Sequence, residues 1–301
     1  MTQAVPPSHP ARLRVGVIGA GRVGAVLGAA LRRAGHDLAG VYAVSADSRD
    51  RAAELLPDVP VVGLPDAVAG MDLVLLAVPD DALPELVSGL ASAGHWEAGQ
   101  LVAHTSGRHG IGVLEPVLSA HALPLALHPA MTFTGTAMDL DRLLDCAFGV
   151  TAPSALRELA MALVIDMGGS PVWIDEAQRV TYHAALAHGA NHLVTLVAEA
   201  MQVLAAAGVE APAEVLGPLV RAALDNALRL SDAALTGPVA RGDVGTVAQH
   251  LSALEEVSPE IRRTYVALAR ATAVRALDSG RLRPAAAEPL LDTLADQENP
   301  R

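Results

Sequence analysis

Three glycines have the spacing of a turn that binds the diphosphate of a dinucleotide. Gly19, Gly21 and Gly24 form the pattern G-x-G-x-x-G directly after a β-branched run and at the start of an amphipathic stretch. In that setting the first glycine permits a tight turn, the second lets the backbone approach a diphosphate, and the third lets a helix pack against a strand. The amino end of the helix, at Arg22 and Val23, supplies N–H groups and partial positive charge. The pattern predicts a site for NAD or NADP.

The identity of the dinucleotide depends on the end of the second predicted strand, where an acidic residue would bind the ribose 2′-hydroxyl of NAD. That position is Ser45, and Arg22 lies nearby in the glycine turn. Three further side chains could bind the 2′-phosphate of NADP: Ser48, Arg49 and Arg51. Asp47 is a contrary sign, and the alternative interpretation of the arginines is an ordinary solvated helix start. We predict NADP in preference to NAD.

Two more strand ends carry polar clusters, His104-Thr105-Ser106-Gly107 and His128-Pro129-Ala130-Met131-Thr132-Phe133. Ligands of open α/β sheets bind outside the carboxyl ends of the strands, so both clusters should face the nicotinamide. A single histidine there is more often structural, but two that converge on one pocket favour a site. Val78 and Pro79 end a neighbouring strand and are predicted to lie beside the cofactor. Four residues are predicted to contact a substrate: His104, Ser106, Met131 and Thr132.

A third polar cluster lies on a predicted long helix and runs from Tyr182 to His192. At 3.6 residues per turn, His183, Ala187 and Asn191 share one face, and His188 and His192 form an i, i+4 pair on another. That pair lacks a third ligand and the glutamate of H-E-x-x-H, so we predict no metal site. Helix capping, solvent exposure or a subunit contact explains the pair better.

The composition excludes several classes of function. Of 301 residues 51% are hydrophobic, which is enough for a sizeable core. Acidic residues outnumber basic ones 33 to 21, so we expect no nucleic-acid or membrane partner, and a small-molecule substrate instead. The sequence contains no lysine, which excludes Schiff-base chemistry and a Walker A loop.

The elements that must position these residues follow an α/β pattern from Leu13 to about Val150. Strands alternate with helices such as Val23 to Ala34 and Asp81 to Ser92, as in a doubly wound, mostly parallel sheet. The predicted strands are Leu13 to Ile18, Leu38 to Val44, Val61 to Val62, Leu73 to Val78, Gln100 to His104 and Leu123 to Leu127. Phe148 to Val150 and Pro171 to Ile174, with a helix from Ser154 to Met167 between them, extend the sheet.

After Asp175 the strand signals stop and the sequence predicts an all-helical domain. The predicted helices are Glu176 to Ala207, Ala213 to Leu235, Thr246 to Glu256, Pro259 to Leu277 and Ala285 to Ala295. We therefore divide the chain into a flexible tail (1–11), a Rossmann domain (12–175) and a helical domain for substrate and dimer contacts (176–301). A single cysteine, Cys146, and no spanning apolar run indicate a cytoplasmic protein.

Four spaced motifs resemble a family of predicted oxidoreductases that joins a Rossmann-like domain to an uncharacterised helical domain. The motifs are HTSG at 104–107, HPAMTF at 128–133, YHAA at 182–185 with Asn191, and LTGPVARGD at 235–243. The wider likeness is to the 6-phosphogluconate-dehydrogenase-like superfamily, which includes ketopantoate reductase, β-hydroxyacid dehydrogenase and pyrroline-5-carboxylate reductase. The resemblance implies a Rossmann fold, an NADP-linked activity and a homodimer through the helical domain.

The chain departs from that superfamily at one position. β-Hydroxyacid dehydrogenases carry K-x-x-x-N on the long helix. Asn191 matches the asparagine, whereas Ala187 occupies the lysine position. The remaining candidates for the acid are His128 and His183, with Ser106 and Asn191 orienting the substrate. Loss of the lysine favours an imine substrate or reduction assisted by hydrogen bonds.

The sequence supports two hypotheses about the function. The first is an NADP-dependent reductase of a small keto or imino acid, with ketopantoate as the specific guess by superfamily analogy. Arg241 could then clamp a substrate carboxylate. Its motif has an equal structural interpretation, in which Gly237-Pro238 ends one helix and Asp243 caps the next. The second reading is a catalytically silent NADP(H) sensor that binds a partner through the helical domain.

Overall fold

The computed structural model describes residues 12–295, so the predicted tail at 1–11 lies outside the described residues. The chain forms two compact units that divide between Gly189 and Ala190. The sequence interpretation placed this boundary at Asp175. The structure moves it toward the C-terminus because Arg179, on the helix after Asp175, donates hydrogen bonds into the sheet of the first unit.

Within the described residues the first unit contains one seven-stranded sheet. Its strands are β1 (Arg14–Ile18), β2 (Asp37–Tyr42), β3 (Leu73–Leu76), β4 (Leu101–His104), β5 (Leu123–Pro129), β6 (Ala147–Thr151) and β7 (Ser170–Trp173). The order is β2-β1-β3-β4-β5-β6-β7, with all pairs parallel except β5 and β6. β2 lies on one side of β1 and β3 lies on the other, so the order of the strands reverses at β1. The carboxyl ends of β1 and β3 therefore form the crevice in which such sheets bind ligands.

The strands form because their short apolar runs can be buried on both faces. Val15 and Val17 of β1 pack into one hydrophobic cluster, and Ile18 packs into the other, on the opposite face. The helices of this unit cover both faces. They are α1 (Arg22–Arg33), α2 (Ala46–Leu55), α3 (Leu83–Ser92), α4 (Met138–Arg142), α5 (Arg157–Asp166) and α6 (Arg179–Leu186).

The second unit is helical throughout its described part. Its helices are α7 (His192–Ala206), α8 (Pro212–Leu230), α9 (Gly237–Arg241), α10 (Val244–Val257), α11 (Pro259–Asp278) and α12 (Pro284–Ala295). Its core forms where α10, α11 and α12 bury small and branched side chains such as Val247, Ala273 and Leu290. The predicted fold class, a Rossmann sheet followed by an all-α domain, is confirmed.

Several predicted elements require correction. Val61 to Val62 is not a strand, since Val61 forms only an isolated bridge with Val41. β2 ends at Tyr42 and β3 at Leu76, so both are shorter than predicted. Gly237-Pro238 does not end a helix; it begins α9, where proline is tolerated because the first turn has no partner for its N–H. Asp243 caps α10 as predicted, accepting a hydrogen bond from the Thr246 N–H at 3.1 Å.

The predicted helix from Glu176 to Ala207 is interrupted. A 3-10 turn occupies Glu176–Gln178, and a π-helical turn at Ala187–Asn191 separates α6 from α7. A π turn contains more residues than an α turn, so it changes the register of everything after it. The straight α-helix assumed for His183, Ala187 and Asn191 is therefore wrong, and their common face stays a prediction.

Two negative findings concern the described residues alone. None of the helices there has the length and apolar character needed to cross a membrane. That part of the chain also contains no group of three or more His, Cys, Asp or Glu side chains that could hold a metal ion.

Candidate functional site

The glycine turn between β1 and α1 has the shape that a diphosphate requires. Gly19 has a φ of +99°, and a side chain there would overlap the Ala77 carbonyl oxygen. A side chain at Gly24 would overlap the Gly19 carbonyl oxygen, so this glycine allows α1 to approach the strand. A Cβ at Gly21, in contrast, would meet nothing within 4 Å. The second glycine thus borders open space.

The amino end of α1 fits an anion. Gly21 occupies the N-cap position and provides no side-chain hydrogen bond to the helix. The first N–H groups of a helix have no intrahelical partner and carry partial positive charge. Open space at Gly21 and uncapped N–H groups at Arg22 and Val23 therefore match a dinucleotide's diphosphate. Val78 lies beside this turn, because a Cβ on Gly19 would be 3.3 Å from its Cγ1, and Pro79 follows it as an exposed residue.

The residues proposed to distinguish NADP from NAD surround the start of α2. Ser45 caps this helix and accepts a hydrogen bond from the Ser48 N–H at 3.1 Å. The buried Ser48 hydroxyl donates to the Ser45 carbonyl at 2.8 Å, so it serves its own helix. Arg49 is exposed. Arg51 donates to the Ala20 carbonyl at 3.3 Å, which places its guanidinium at the glycine turn.

A loop after β5, which the sequence interpretation missed, packs against this arginine region. Gly135 has a φ of +80°, and its absent Cβ would lie 2.7 Å from Arg51 Nε and 3.0 Å from Arg22 Cγ. Asp139 is fully buried and accepts hydrogen bonds from the backbone N–H groups of Thr134, at 2.8 Å, and Gly135, at 2.7 Å. The carboxylate thus holds the loop in place. The sequence Thr134-Gly135-Thr136 predicts a turn, but it does not predict which residues the turn contacts.

His104 is the most buried of the predicted site histidines. Its Nε2 donates to the Gly110 carbonyl at 2.8 Å and its Nδ1 accepts from the Ser106 N–H at 3.1 Å. Burial lowers the pKa of His104 to about 4, so the ring is neutral at neutral pH. Both nitrogens are engaged by backbone, and the predicted substrate contact would require one of them to be released.

His128 and His183 lie together above Gly107. Their ring centroids are 6.0 Å apart, and a Cβ on Gly107 would lie 2.9 Å from His128 Nε2 and 2.6 Å from His183 Cδ2. Gly107 therefore allows the two histidines, both predicted to be site residues, to meet beside the loop after β4, and this role of Gly107 was not predicted. Ser106, the neighbouring residue, is buried, and its Oγ accepts from the His109 N–H at 3.2 Å.

Tyr182 is the direct hydrogen-bond partner of His128. Its hydroxyl lies 3.0 Å from His128 Nδ1, and burial raises the pKa of the phenol, which remains protonated. Burial, followed by the charges of His183 and Arg179, lowers the pKa of His128 to about 4. His128 is therefore a neutral hydrogen-bonding group at neutral pH. From the sequence, His128 was a candidate for donating a proton or a strong hydrogen bond to the substrate; a neutral ring fits the hydrogen bond, and the role itself stays a prediction.

Arg179 and Glu176, one turn apart, attach this helix to the sheet edge, and neither was predicted. Arg179 is 1% exposed and donates to Thr151 Oγ1 at 2.8 Å and to the carbonyls of Gly149 at 3.0 Å and Ala126 at 3.1 Å. Glu176 accepts from the N–H groups of Ile111 at 2.8 Å and Gly112 at 3.0 Å. The spacing 176, 179, 182, 183 places polar residues on one helical face, which is the signal that could have found them.

The other predicted substrate residues are more dispersed. Met131 is half-buried and packs against the hydrophobic core, whereas Thr132 is exposed. Asn191 and Arg241 belong to the second unit and are exposed. The structure thus brings together His104, Ser106, His128 and His183 of the first unit, and the roles of all eight residues stay predictions.

Two family models match the sequence, in agreement with the resemblance drawn from the motifs. A Rossmann-like domain matches residues 2–129, and DUF2520, a domain of unknown function, matches residues 146–272. The DUF2520 match begins within the sheet, at the strand region of β6, and extends into α11. The sequence matches no curated protein.

Solved structures share the fold at low sequence identity. A candidate NADP oxidoreductase from Bacteroides fragilis is 23% identical with a TM-score of 0.74, over 87% of this chain and 98% of that one. A reductive aminase from Aspergillus terreus, in complex with NADPH and ethyl-5-oxohexanoate, is 18% identical with a TM-score of 0.65, over 93% and 99%. A pyrroline-5-carboxylate reductase from Coxiella burnetii is 19% identical with a TM-score of 0.53, over 95% and 97%.

Proposed function

Because the chain joins a Rossmann-like domain to a DUF2520 domain, we propose that it is an NADP-dependent oxidoreductase that reduces a small imine or keto acid by hydride transfer. One observation carries the proposal. The open turn at Gly21 and the His128–Tyr182 pair both lie at the carboxyl edge of the same sheet. That edge is where α/β folds bind a dinucleotide and position its reactive ring.

The residues of the first unit could hold the cofactor along this edge. The uncapped start of α1 would receive the diphosphate, and Arg51 and Arg22, on either side of Gly135, would receive a 2′-phosphate. Exposed Ser45 and Arg49 lie at the adjacent helix start. Two guanidinium groups near the turn favour NADP over NAD, as does the NADPH bound by the reductive aminase of similar fold.

A bound nicotinamide would supply the hydride, and the chain's own residues would orient the acceptor and manage its proton. When the Tyr182 hydroxyl donates to His128 Nδ1, the neutral imidazole carries its proton on Nε2, the atom nearest Gly107. His128 can then donate a hydrogen bond to a substrate nitrogen or oxygen without becoming charged. His183, against the same ring, is the second candidate for this contact.

The site favours an imine over a ketone because it offers no lysine and no charged His128 as a proton donor. There is no lysine in the sequence, and the low pKa of His128 leaves no imidazolium at that position near neutral pH. A carbonyl needs a proton as the hydride arrives, whereas a protonated imine already carries one. The reductive aminase and the pyrroline-5-carboxylate reductase have names that refer to C=N chemistry, which ranks imines ahead of ketopantoate.

The test is NADPH oxidation with a panel of cyclic imines, amine–ketone mixtures and 2-keto acids that includes ketopantoate. We expect turnover with an imine and weaker or no turnover with ketopantoate. Tight NADPH binding without turnover of any compound would contradict the enzyme and favour the sensor. Absence of NADPH binding would contradict both.

We also propose that the protein is a homodimer through its helical unit. Within the described residues, α7 and α8 bury no residue, and large apolar side chains on them are exposed, including Val194 at 71%, Leu219 at 68% and Leu228 at 79%. Apolar surface of that kind usually marks an interface. Light scattering should give about twice 30.9 kDa, and Leu219→Asp with Leu228→Asp should lower it to the monomer. A wild-type monomer would contradict the proposal.

A further inference from the structure

Arg179 is a buried cation, and within the described residues 12–295 all of its hydrogen-bond partners are neutral. Its guanidinium donates to Thr151 Oγ1 and to the carbonyls of Ser106 at 3.4 Å, Ala126 and Gly149. Those oxygens belong to β5, β6 and the loop after β4, so one side chain joins three neighbouring segments of the sheet edge. A buried arginine is normally paired with a carboxylate, because an isolated buried charge is costly. Here backbone dipoles take the place of the carboxylate.

The nearest carboxylate on the same helix is already engaged. Glu176 accepts hydrogen bonds from the backbone N–H groups of Ile111 and Gly112 at the start of a 3-10 helix. It also faces Gly110, where any side chain would overlap its carboxylate. Glu176 still attracts the Arg179 charge, but its oxygens serve another segment. The positive charge of Arg179 is thus only partly compensated, and it acts on its neighbours.

The neighbour that matters for chemistry is His128, which is the direct cross-strand partner of Gly149 in the β5–β6 pair. Four groups face its ring or act on its charge: Tyr182 and His183 on α6, Arg179 on α6, and Asp80 after β3. His183 and Arg179 disfavour a proton on His128, and Asp80 favours one. A guanidinium cannot be deprotonated in a protein, so Arg179 is a permanent member of this group, unlike His183.

We propose that Arg179 is a positioning residue that acts through His128: its hydrogen bonds to the carbonyls of Ser106, Ala126 and Gly149 hold the segments that bring His128 beside Gly107, and its buried charge adds to burial in disfavouring a charged imidazole there. The catalytic meaning of this role rests on the proposed function, but the role itself does not. A neutral ring with a fixed tautomer can donate a hydrogen bond to a substrate across the whole neutral range, whereas a charged ring could not accept from Tyr182.

The alternative is that Arg179 only clamps the strands together. The clamp role and the charge-setting role can be tested separately, because a substitution can keep the positive charge while it removes the planar guanidinium. Arg179→Lys retains a cation and fewer hydrogen bonds, and Arg179→Gln retains hydrogen bonding without charge. A clamp predicts that both variants lose stability and leave His128 titration unchanged. The charge-setting role predicts that only Arg179→Gln changes it.

The experiment is a histidine titration by NMR of the full chain labelled at the imidazole carbons, with the His128 signal assigned by its loss in His128→Gln. It needs no substrate, so failure of the proposed function does not affect it. We expect the pKa of His128 to rise in Arg179→Gln, by roughly half a unit or more. It should stay near the wild-type value in Arg179→Lys. Arg33→Gln, which removes an exposed charge on α1, is the matched control and should cause no shift.

Two results would overturn the proposal. One is a His128 titration in Arg179→Gln that matches the Arg33→Gln control. The other arises if Arg179→Gln and Arg179→Met both fail to fold, judged by circular dichroism. A shifted His128 pKa in folded Arg179→Lys would then contradict the proposal, because the charge is still present. If turnover is found, the acid limb of the kcat/KM profile should move upward in pH in Arg179→Gln and not in Arg179→Lys.

Discussion

The glycine turn and the polar edge above Gly107 are two halves of one proposed site, but they are built differently. The turn is made by backbone. Gly19 and Gly24 are needed because a side chain at either position would overlap nearby backbone atoms, and Gly21 leaves open the space that a diphosphate would fill. The polar edge is made by side chains from three segments, held by Arg179 and Glu176. Backbone sites follow from residue spacing, whereas side-chain sites depend on which segments the fold brings together.

The comparison predicts that the glycine turn has little tolerance for a methyl group where it is packed. Gly24→Ala should destabilise the protein by about 2–4 kcal/mol, because the new Cβ overlaps the Gly19 carbonyl. Gly89→Ala on α3 is the matched control, since a Cβ there meets nothing within 4 Å, and it should leave stability unchanged or slightly raised. Chemical denaturation measures both. Equal stability of the two variants would mean that the turn is not packed as described.

The polar edge should respond in activity instead of stability. His128→Gln should reduce turnover of the best imine by about 100-fold, because the group that contacts the substrate is lost. NADPH affinity should change little, since the cofactor contacts lie at the glycine turn and α2. Steady-state kinetics and calorimetry measure the two quantities. A parallel loss of both would show that the two halves are not separable.

The same edge should make stability depend on pH. The pKa values of His104 and His128 are lowered to about 4 in the folded protein, so between pH 6.5 and 4 the unfolded chain binds more protons. Stability is therefore present above the unfolded pKa and lost as pH falls toward 4, by on the order of 1–3 kcal/mol per histidine. Thermal unfolding from pH 7.5 to 4.5 should show the decline, and His104→Gln should flatten it. An equal decline in that variant would assign the effect elsewhere.

The smallest expected effect concerns the choice of cofactor. Arg51→Gln should reduce the preference for NADPH over NADH by about tenfold, because one guanidinium near the 2′-phosphate is lost. Binding of the two dinucleotides to the variant and to the wild type gives the ratio. Arg33→Gln on α1 is again the control. An unchanged ratio would leave Arg22 and Arg49 as the remaining candidates.

Much of the fold was predictable because the strands are short apolar runs between helices of clear period. The glycine turn followed from three residues and their setting. The polar spacing 176, 179, 182, 183 could have indicated that Arg179 faces the site, but not its partners, because most of them are backbone carbonyl oxygens that no side-chain pattern records. The π turn at Ala187–Asn191 was also not predictable, since the spacing of apolar residues in the sequence does not show the extra residue of a π turn.

The central claim is that a dinucleotide's diphosphate binds at Gly21, and calorimetry with NADPH tests it most directly. The wild type should bind NADPH, and Gly21→Val should bind it about 100-fold more weakly while remaining folded, because the new side chain fills space that the diphosphate requires. Equal affinity in the two proteins, or no binding by the wild type, would contradict the account.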